Sequence, residues 1–352
     1  NYLKNRTWQG LHFFFRNQHQ KLLERFEQLA DVASMPVVFL HANPHVDNFS
    51  KSHQGCSLAD FDRSKFGPYA WDLLRLMLSV SLRQKDMTSH VLHSSVVRKA
   101  RDGYLWGFAH PDMPWRQMQK MELIKVSEDE IDMNAYLAAN RGWAREMRSN
   151  PLPVDHPDVL SLVQQFVESR KETELLDQYE IEEAGRGFGS MGERLRFLVV
   201  LCPKDRKGDR IFLDMKETRQ DPDTQFFRNP FDHQGKRLIA ASKLYCPGWM
   251  LRQGYGKLGD LEFHMRQIPP LNAKLKGLLS LADQKDFVYA AASQLGRGHR
   301  LSLQGFVSPD KLVSHLTSYL PELMEIAQRL KWEITTAFFQ YKTAWEEAEN
   351  LL

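Results

Sequence analysis

The chain has 352 residues, 42% hydrophobic and 26% charged, which is ordinary globular usage with ample material for a large core. Its 47 Lys and Arg stand against 44 Asp and Glu, a net charge of +3 that is too small to argue for nucleic acid as the main partner. Cys56, Cys202 and Cys246 are odd in number and widely spaced, which argues against a disulfide framework or zinc ribbon and for a reducing, cytoplasmic setting.

The opening Asn1-Tyr2-Leu3-Lys4 carries no signal-peptide pattern, and the missing initiator Met leaves room for upstream residues and an export signal. No apolar run reaches the length of a membrane span. Residues 8–30 repeat apolar side chains at helical spacing, from Trp8 and Leu11 to Phe26 and Leu29. Pro36-Val37-Val38-Phe39-Leu40 reads as a buried strand entering a polar turn, His41 to Asn48. A second strand over Cys56 to Ala59 ends in Asp60-Phe61-Asp62, and Gly67-Pro68 marks a turn before an apolar helix opening at Trp71. Residues 86–178 are helical and charged, with Val126 to Asp132 read as a solvated acidic helix start. Near residue 180 the pattern turns to strands. A glycine-rich turn, Gly185 to Gly192, precedes Leu195 to Leu201. A charged hairpin loop, Lys204 to Asp209, precedes the alternating Arg210 to Lys216. A helix over 234–246, a strand over Leu261 to Arg266 and a helical remainder complete an α+β chain with two lobes.

Three groups of residues carry candidate chemistry. Asn48 and Asp60 end two strand-to-loop exits, a position from which an amide and a carboxylate can converge on a hard cation such as Mg²⁺; Asp62 is a second carboxylate. The alternative is that all three only make turns. Gly187, Gly189, Ser190 and Gly192 form the second group, with Lys216 on a following strand. Glycines let backbone amides approach phosphates, and a strand lysine adds a point charge. Strand, glycine loop, strand and lysine is the arrangement of kinase small lobes. His41, His45 and His53 are the third group. Pro44 disfavours the helix that would align the first two, so they are read as loop histidines rather than a zinc site.

Asp72 has two readings: it holds the 41–48 loop by its backbone amides, or it is a favourable charge at a helix start. Arg16 is read as a snorkelling surface arginine rather than a phosphate contact. Gly296-Arg297-Gly298, before His299 and Arg300, is read as a turn.

The ordered set of motifs resembles the uncharacterised bacterial family called domain of unknown function 2252, itself distantly similar to protein kinases and aminoglycoside phosphotransferases. The pieces that carry the resemblance are Phe15-Arg16, His45 through Asn48-Phe49, Asp60-Phe61-Asp62, Gly67-Pro68 through Trp71-Asp72-Leu73-Leu74-Arg75-Leu76, Gly187 through Gly192, Lys216-Glu217 and Arg266-Gln267. The resemblance implies a two-lobed, protein-kinase-like fold in circularly permuted order. Residues 1–178 would hold the large-lobe loops, 179–268 the small lobe, and 269–352 the helical return. It implies ATP or another nucleoside triphosphate as cofactor, with Mg²⁺ on Asn48 and Asp60. The 185–192 loop would cover the phosphates, Lys216 would pair with them, and Asp62 would be a further metal or active-site carboxylate.

Three departures from the family pattern matter. The loop Asp that would take the acceptor proton is Asn43 here, preceded by Ala42 instead of Gly, and a neutral amide cannot act as a base. Gly after the aromatic-Arg pair is Asn17, and Ala240 stands where a Glu would pair with Lys216. Asp47 adjoins Asn48 and is not a replacement base. The resulting expectation is a phosphotransferase with an altered catalytic loop, acting on an unknown acceptor, small molecule or protein. The alternatives are a pseudokinase scaffold and a DxD-type nucleotide-sugar transferase.

Overall fold

A computed structural model describes residues 8–52, 55–84, 89, 91–114, 116–123, 132–187, 194–269, 273–303 and 307–349. Helices α1 (Trp8–Asn17) and α2 (His19–Leu29) are followed by β1 (Val37–Leu40), β2 (Phe49–Ser52), β3 (Gly55–Leu58), β4 (Lys65–Pro68) and α3 (Ala70–Ser81). Next come α4 (Ser94–Ala109), the short α5 (Gln119–Glu122), α6 (Met133–Ala138) and α7 (Trp143–Ser149), then β5 (Pro151–Leu152), α8 (Pro157–Arg170) and α9 (Leu175–Gln178). The strands β6 (Tyr179–Arg186), β7 (Arg196–Pro203) and β8 (Ile211–Thr218) lead to α10 (Gln234–Tyr245), β9 (Gly254–Leu258), β10 (Leu261–Gln267) and β11 (Ala273–Lys274). The chain closes with α11 (Leu281–Ser302) and α12 (Pro309–Glu349). No described helix is long and apolar enough to cross a membrane.

The described part is a mixed α+β fold. A six-stranded antiparallel sheet runs in the order β5-β6-β7-β8-β10-β9. Strand alternation gives it two different faces. Phe197, Val199, Leu201, Leu213, Met215, Phe263 and Met265 point one way and pack on Val159, Leu162, Val163 and Phe166 of α8. The opposite face is apolar at one end, where Leu198, Val200 and Phe212 meet α6 and α7. At its other end the cross-strand neighbours Arg196, Lys216 and His264, with Asp214 beside Arg266, make it polar.

The second and larger core joins α1–α4, α10, α11 and α12 around β1 and β4. Here the turn expected at Gly296-Arg297-Gly298 is corrected, because those residues lie inside the 22-residue α11. The glycines serve close approach instead of chain reversal. A methyl on Gly296 would stand 2.1 Å from the Tyr104 carbonyl oxygen of α4, and one on Gly298 would strike the Tyr245 ring at 2.3 Å. By contrast, Lys204 to Asp209 is the exposed hairpin turn expected of it.

Candidate functional site

Buried, β-branched β1 drives the chain into the interior and delivers it to the 41–48 turn. Asp72 on the first turn of α3 grips that turn. Its Oδ2 accepts from the His41 amide (2.9 Å) and its Oδ1 from the Ala42 amide (2.8 Å). Buried His299 of α11 donates from Nε2 to the same carboxylate (3.0 Å), and its Nδ1 meets the Tyr104 hydroxyl (2.9 Å). The loop-holding reading of Asp72 is therefore the observed one. Trp71 donates from Nε1 to the Ala42 carbonyl (2.9 Å). Ala42 sits at φ +63°, the left-handed region that suits the glycine it replaces.

Further along the turn, the Asn48 carbonyl accepts from the Ala59 amide (2.7 Å), which joins the two strand exits. The Asn48 side chain donates from Nδ2 to the Asn43 carbonyl (3.1 Å), leaving its Oδ1 as the acceptor atom. The exposed Asp60 stands next door at φ +68°, and no described group hydrogen-bonds its carboxylate.

Across from these loops lies the polar end of the sheet. Lys216 Nζ donates to Asp62 Oδ2 at 2.5 Å, and Arg194 Nη1 reaches the same oxygen at 2.9 Å. Burial pushes the Asp62 carboxyl up, but the Lys216 ammonium and then Arg194 hold it well below the usual carboxylate range. Burial pulls Lys216 down in turn, and Asp62 and Asp60 hold it above its ordinary value. Arg237 of α10 fixes the 61–64 turn, donating to the Asp62 carbonyl (2.9 Å) and the Ser64 carbonyl (2.6 Å). Asp214 accepts from Arg196 (2.6 Å) and Arg266 (3.4 Å) on the same sheet face.

Two cavities open from this junction. One, about 240 Å³, is lined by Asn48, Asp60, Asp62, Arg196, Asp214 and Lys216 among others. The second, about 180 Å³, is reached from the α1 side and includes Arg16, Asn43, His45 and Arg63. Asp60, Asp62 and Lys216 line both.

The structure thus brings Asn43, His45, Asn48, Asp60, Asp62 and Lys216 to one place. Gly187 lies at the end of the strand pairing, its amide donating to the Arg196 carbonyl (2.9 Å). Gly189, Ser190 and Gly192 lie outside the described residues, as do His53 and all of the acidic 126–132 stretch except Asp132, which caps α6. Among the described residues no group of three His, Cys, Asp or Glu could hold a metal. Arg16 is not a plain snorkelling arginine; it bonds Asp47 (3.2 Å) and lines the second cavity. Ala240 is also re-placed. It lines a different groove with Lys236 and Lys243, and Lys216 takes Asp62 as its acid.

Several contributors were missed from sequence. Asp214 was recoverable, since it stands two positions before Lys216 on a strand and so shares its face. Arg75 stood in the Trp71-to-Leu76 motif without a role assigned to it, and Arg237 had no such signal, being an arginine on an amphipathic helix. Arg75 is 1% exposed and donates from Nε to Asn43 Oδ1 (2.8 Å). Asp47 is engaged by Arg83 (2.7 Å), Arg16 and His12 Nδ1 (3.1 Å). Buried His12 in turn meets Ser79 Oγ at 2.9 Å.

Burial pushes His12 down to about 4 and His264 down to about 3, and lowers His19, His41 and His45 as well. Folding keeps these rings neutral while the unfolded chain takes up protons near pH 6.5. Stability is therefore fully present above that pH and falls as the pH drops toward 4, by at most about 1.4 kcal/mol per pH unit for each histidine. Urea midpoints at pH 8, 6.5 and 5 check this; a midpoint that rises on acidification contradicts it.

A family model described as "uncharacterized protein conserved in bacteria (DUF2252)" matches residues 155–344, more than half of the chain. The chain belongs to that family. No curated protein and no solved structure matches it. The DUF2252 match takes in β6 to β10 with Lys216 and Asp214, α10 with Arg237, and α11 with His299. Asn43, Asn48, Asp60 and Asp62 precede the matched span.

Proposed function

We propose that this DUF2252 member is an ATP- and Mg²⁺-binding, kinase-like protein in permuted lobe order, a phosphotransferase whose catalytic loop is altered. The observation that carries the reading is the meeting of Lys216 with Asp62, 154 positions apart, beside the carboxylate of Asp60, which no described group hydrogen-bonds. In this reading the 240 Å³ cavity takes the phosphate end of the nucleotide and the 180 Å³ cavity the acceptor, with the transferred group at the residues common to both.

Residues with oxygen to give fit a hard cation. Asp60 has a free carboxylate, Asn48 has a free Oδ1, and Mg²⁺ asks for one or two protein oxygens beside phosphate and water. A bound Mg²⁺ would neutralise phosphate charge. Lys216 and Arg194 would supply positive charge to phosphate oxygens once they leave Asp62. Asn43, whose amide oxygen accepts from Arg75, can position a group but takes no proton, because a neutral amide is not a base. Phosphoryl transfer depends mainly on positioning and charge neutralisation, so loss of the base lowers turnover without abolishing it.

The test is Mg²⁺-dependent ATP turnover in wild type, Asp60→Ala and Asn43→Asp. Turnover that Asp60→Ala abolishes supports the reading, and equal background-level turnover in wild type and Asp60→Ala overturns it. The pseudokinase reading is favoured by one observation, the Arg75–Asn43 bond at the position of the base. It predicts turnover only in Asn43→Asp, and it falls if wild type already turns over at a rate that substitution leaves unchanged. A nucleotide-sugar transferase would want a parallel sheet before Asp60; the described strands preceding it, β1 to β3, pair only antiparallel.

A further inference from the structure

Behind Asn43, which lines the second cavity, lies a guanidinium whose fork no described group hydrogen-bonds. The buried guanidinium of Arg75 has one bond, from Nε to Asn43 Oδ1. Its Nη1 and Nη2 meet no partner among the described residues, and neither does Nδ1 of buried His45, which lines the cavity. The Arg75 guanidinium rests 4.6 Å over the Phe15 ring, a contact worth far less than a carboxylate. An arginine stays charged in a protein, and a buried unpaired charge costs several kcal/mol in order of magnitude.

The other arginines sharpen the point. Arg16 is paired with Asp47, Arg63 with Asp221 and Arg194 with Asp62. Burial, then repulsion from Arg63 and Arg16, pulls Arg75 well below its ordinary value against weaker attraction from Asp72 and Asp221. The same cavity is also lined by Asp60, whose carboxylate no described group hydrogen-bonds. Its lining thus combines Arg16, Arg63, Arg194 and Lys216 with the carboxylates of Asp60, Asp62 and Asp221.

We propose that this cavity takes a small molecule carrying a phosphate or carboxylate group, held by Arg16 and Arg63 beside Asn43 and the unpartnered Nδ1 of His45. On the phosphotransferase reading, on which the acceptor role rests, the acceptor is thus a small anionic molecule with a hydroxyl directed at Asp60 and Asp62, and a protein side chain is not. A planar guanidinium fork suits the oxygens of either anion. At about 180 Å³ the cavity is smaller than a drug-sized ligand site, which begins at roughly 300 Å³.

Inorganic phosphate and malonate are the two probes, titrated calorimetrically and by thermal shift into wild type, Arg63→Gln, Asn43→Asp and Arg266→Gln. Arg266 lines only the other cavity. At least one anion should bind wild type and Arg266→Gln alike, and about tenfold more weakly in Arg63→Gln. Asn43→Asp should weaken it as well, since the introduced carboxylate answers Arg75. Which probe binds tells a phosphate-bearing molecule from a carboxylate-bearing one. The proposal is overturned if neither anion binds wild type, if both variants at Arg63 and Asn43 bind as wild type does, or if affinity is lost in Arg266→Gln and kept in Arg63→Gln. MgATP titrated into the same proteins separates the two ideas. Anion binding lost in Arg63→Gln without any nucleotide binding leaves the anion site standing and removes the phosphotransferase reading.

Discussion

Replacing Asp72 with Ala lowers the unfolding free energy by about 3–5 kcal/mol, the range expected when a buried charged group is removed from its partners. Three donors lose their acceptor at once: the His41 amide, the Ala42 amide and His299 Nε2. Asp72 and His299 are both fully buried, so water cannot replace the lost bonds cheaply, and each orphaned donor costs about 1–3 kcal/mol. Were Asp72 only a favourable charge at a helix start, the loss would be about 0.3–1 kcal/mol. The magnitude therefore decides between the two roles. Asp72→Asn sharpens the test, because both carboxylate oxygens accept and the amide can present only one. A urea titration in which either variant loses less than about 1 kcal/mol contradicts the loop-holding role.

Gly107→Ala has the second large effect, and here the sign is informative. In an ordinary helix interior the change would stabilise by about 1 kcal/mol. At this position the added methyl would stand 1.8 Å from the Ser293 carbonyl oxygen of α11, with Gly103 and Gly296 nearly as close to backbone, at 2.3 and 2.1 Å, in the same helix pair. Backbone cannot rotate out of the way as a side chain does, so α4 and α11 must separate. The expected net loss is about 3 kcal/mol, the upper end for overpacking. Because α11 carries His299 to Asp72, the 41–48 turn should loosen with it. A thermal midpoint raised by the substitution contradicts this packing.

Much of the local structure was legible because it follows from periodicity. The strand at β1, the helix opening near Trp71, the alternating β8 and the helix at α10 each fall within a few residues of their expected places. Asn48, Asp60 and Lys216 were also legible as candidates, since each stands at a strand end or on a strand face. Less legible was everything set by distant partners. Glycine looks like a breaker until the neighbouring helix is known, which is why Gly296-Arg297-Gly298 read as a turn. Arg237 reads as a helix-surface charge, yet it is 1% exposed and holds four turn groups, from Phe61, Asp62 and Ser64. Asp62 read as a further metal or active-site carboxylate, and only the fold reveals that Lys216 and Arg194 already occupy one of its oxygens.

That closed ion pair has a consequence for stability. Asp62 is held below its ordinary value by Lys216, so its contribution is present above about pH 4 and is lost as acid protonates it. A nucleotide that draws Lys216 and Arg194 onto its phosphates must compete with this pair, which ties ligand binding to the same three side chains.

The most direct measurement is the thermal midpoint with and without MgATP in wild type, Asp60→Ala and Lys216→Met. The account predicts a rise in wild type equivalent to about 2.7 kcal/mol when nucleotide is present at about 100 times its Kd, with the rise absent or strongly reduced in both variants. No rise in wild type, or the same rise in all three proteins, contradicts it.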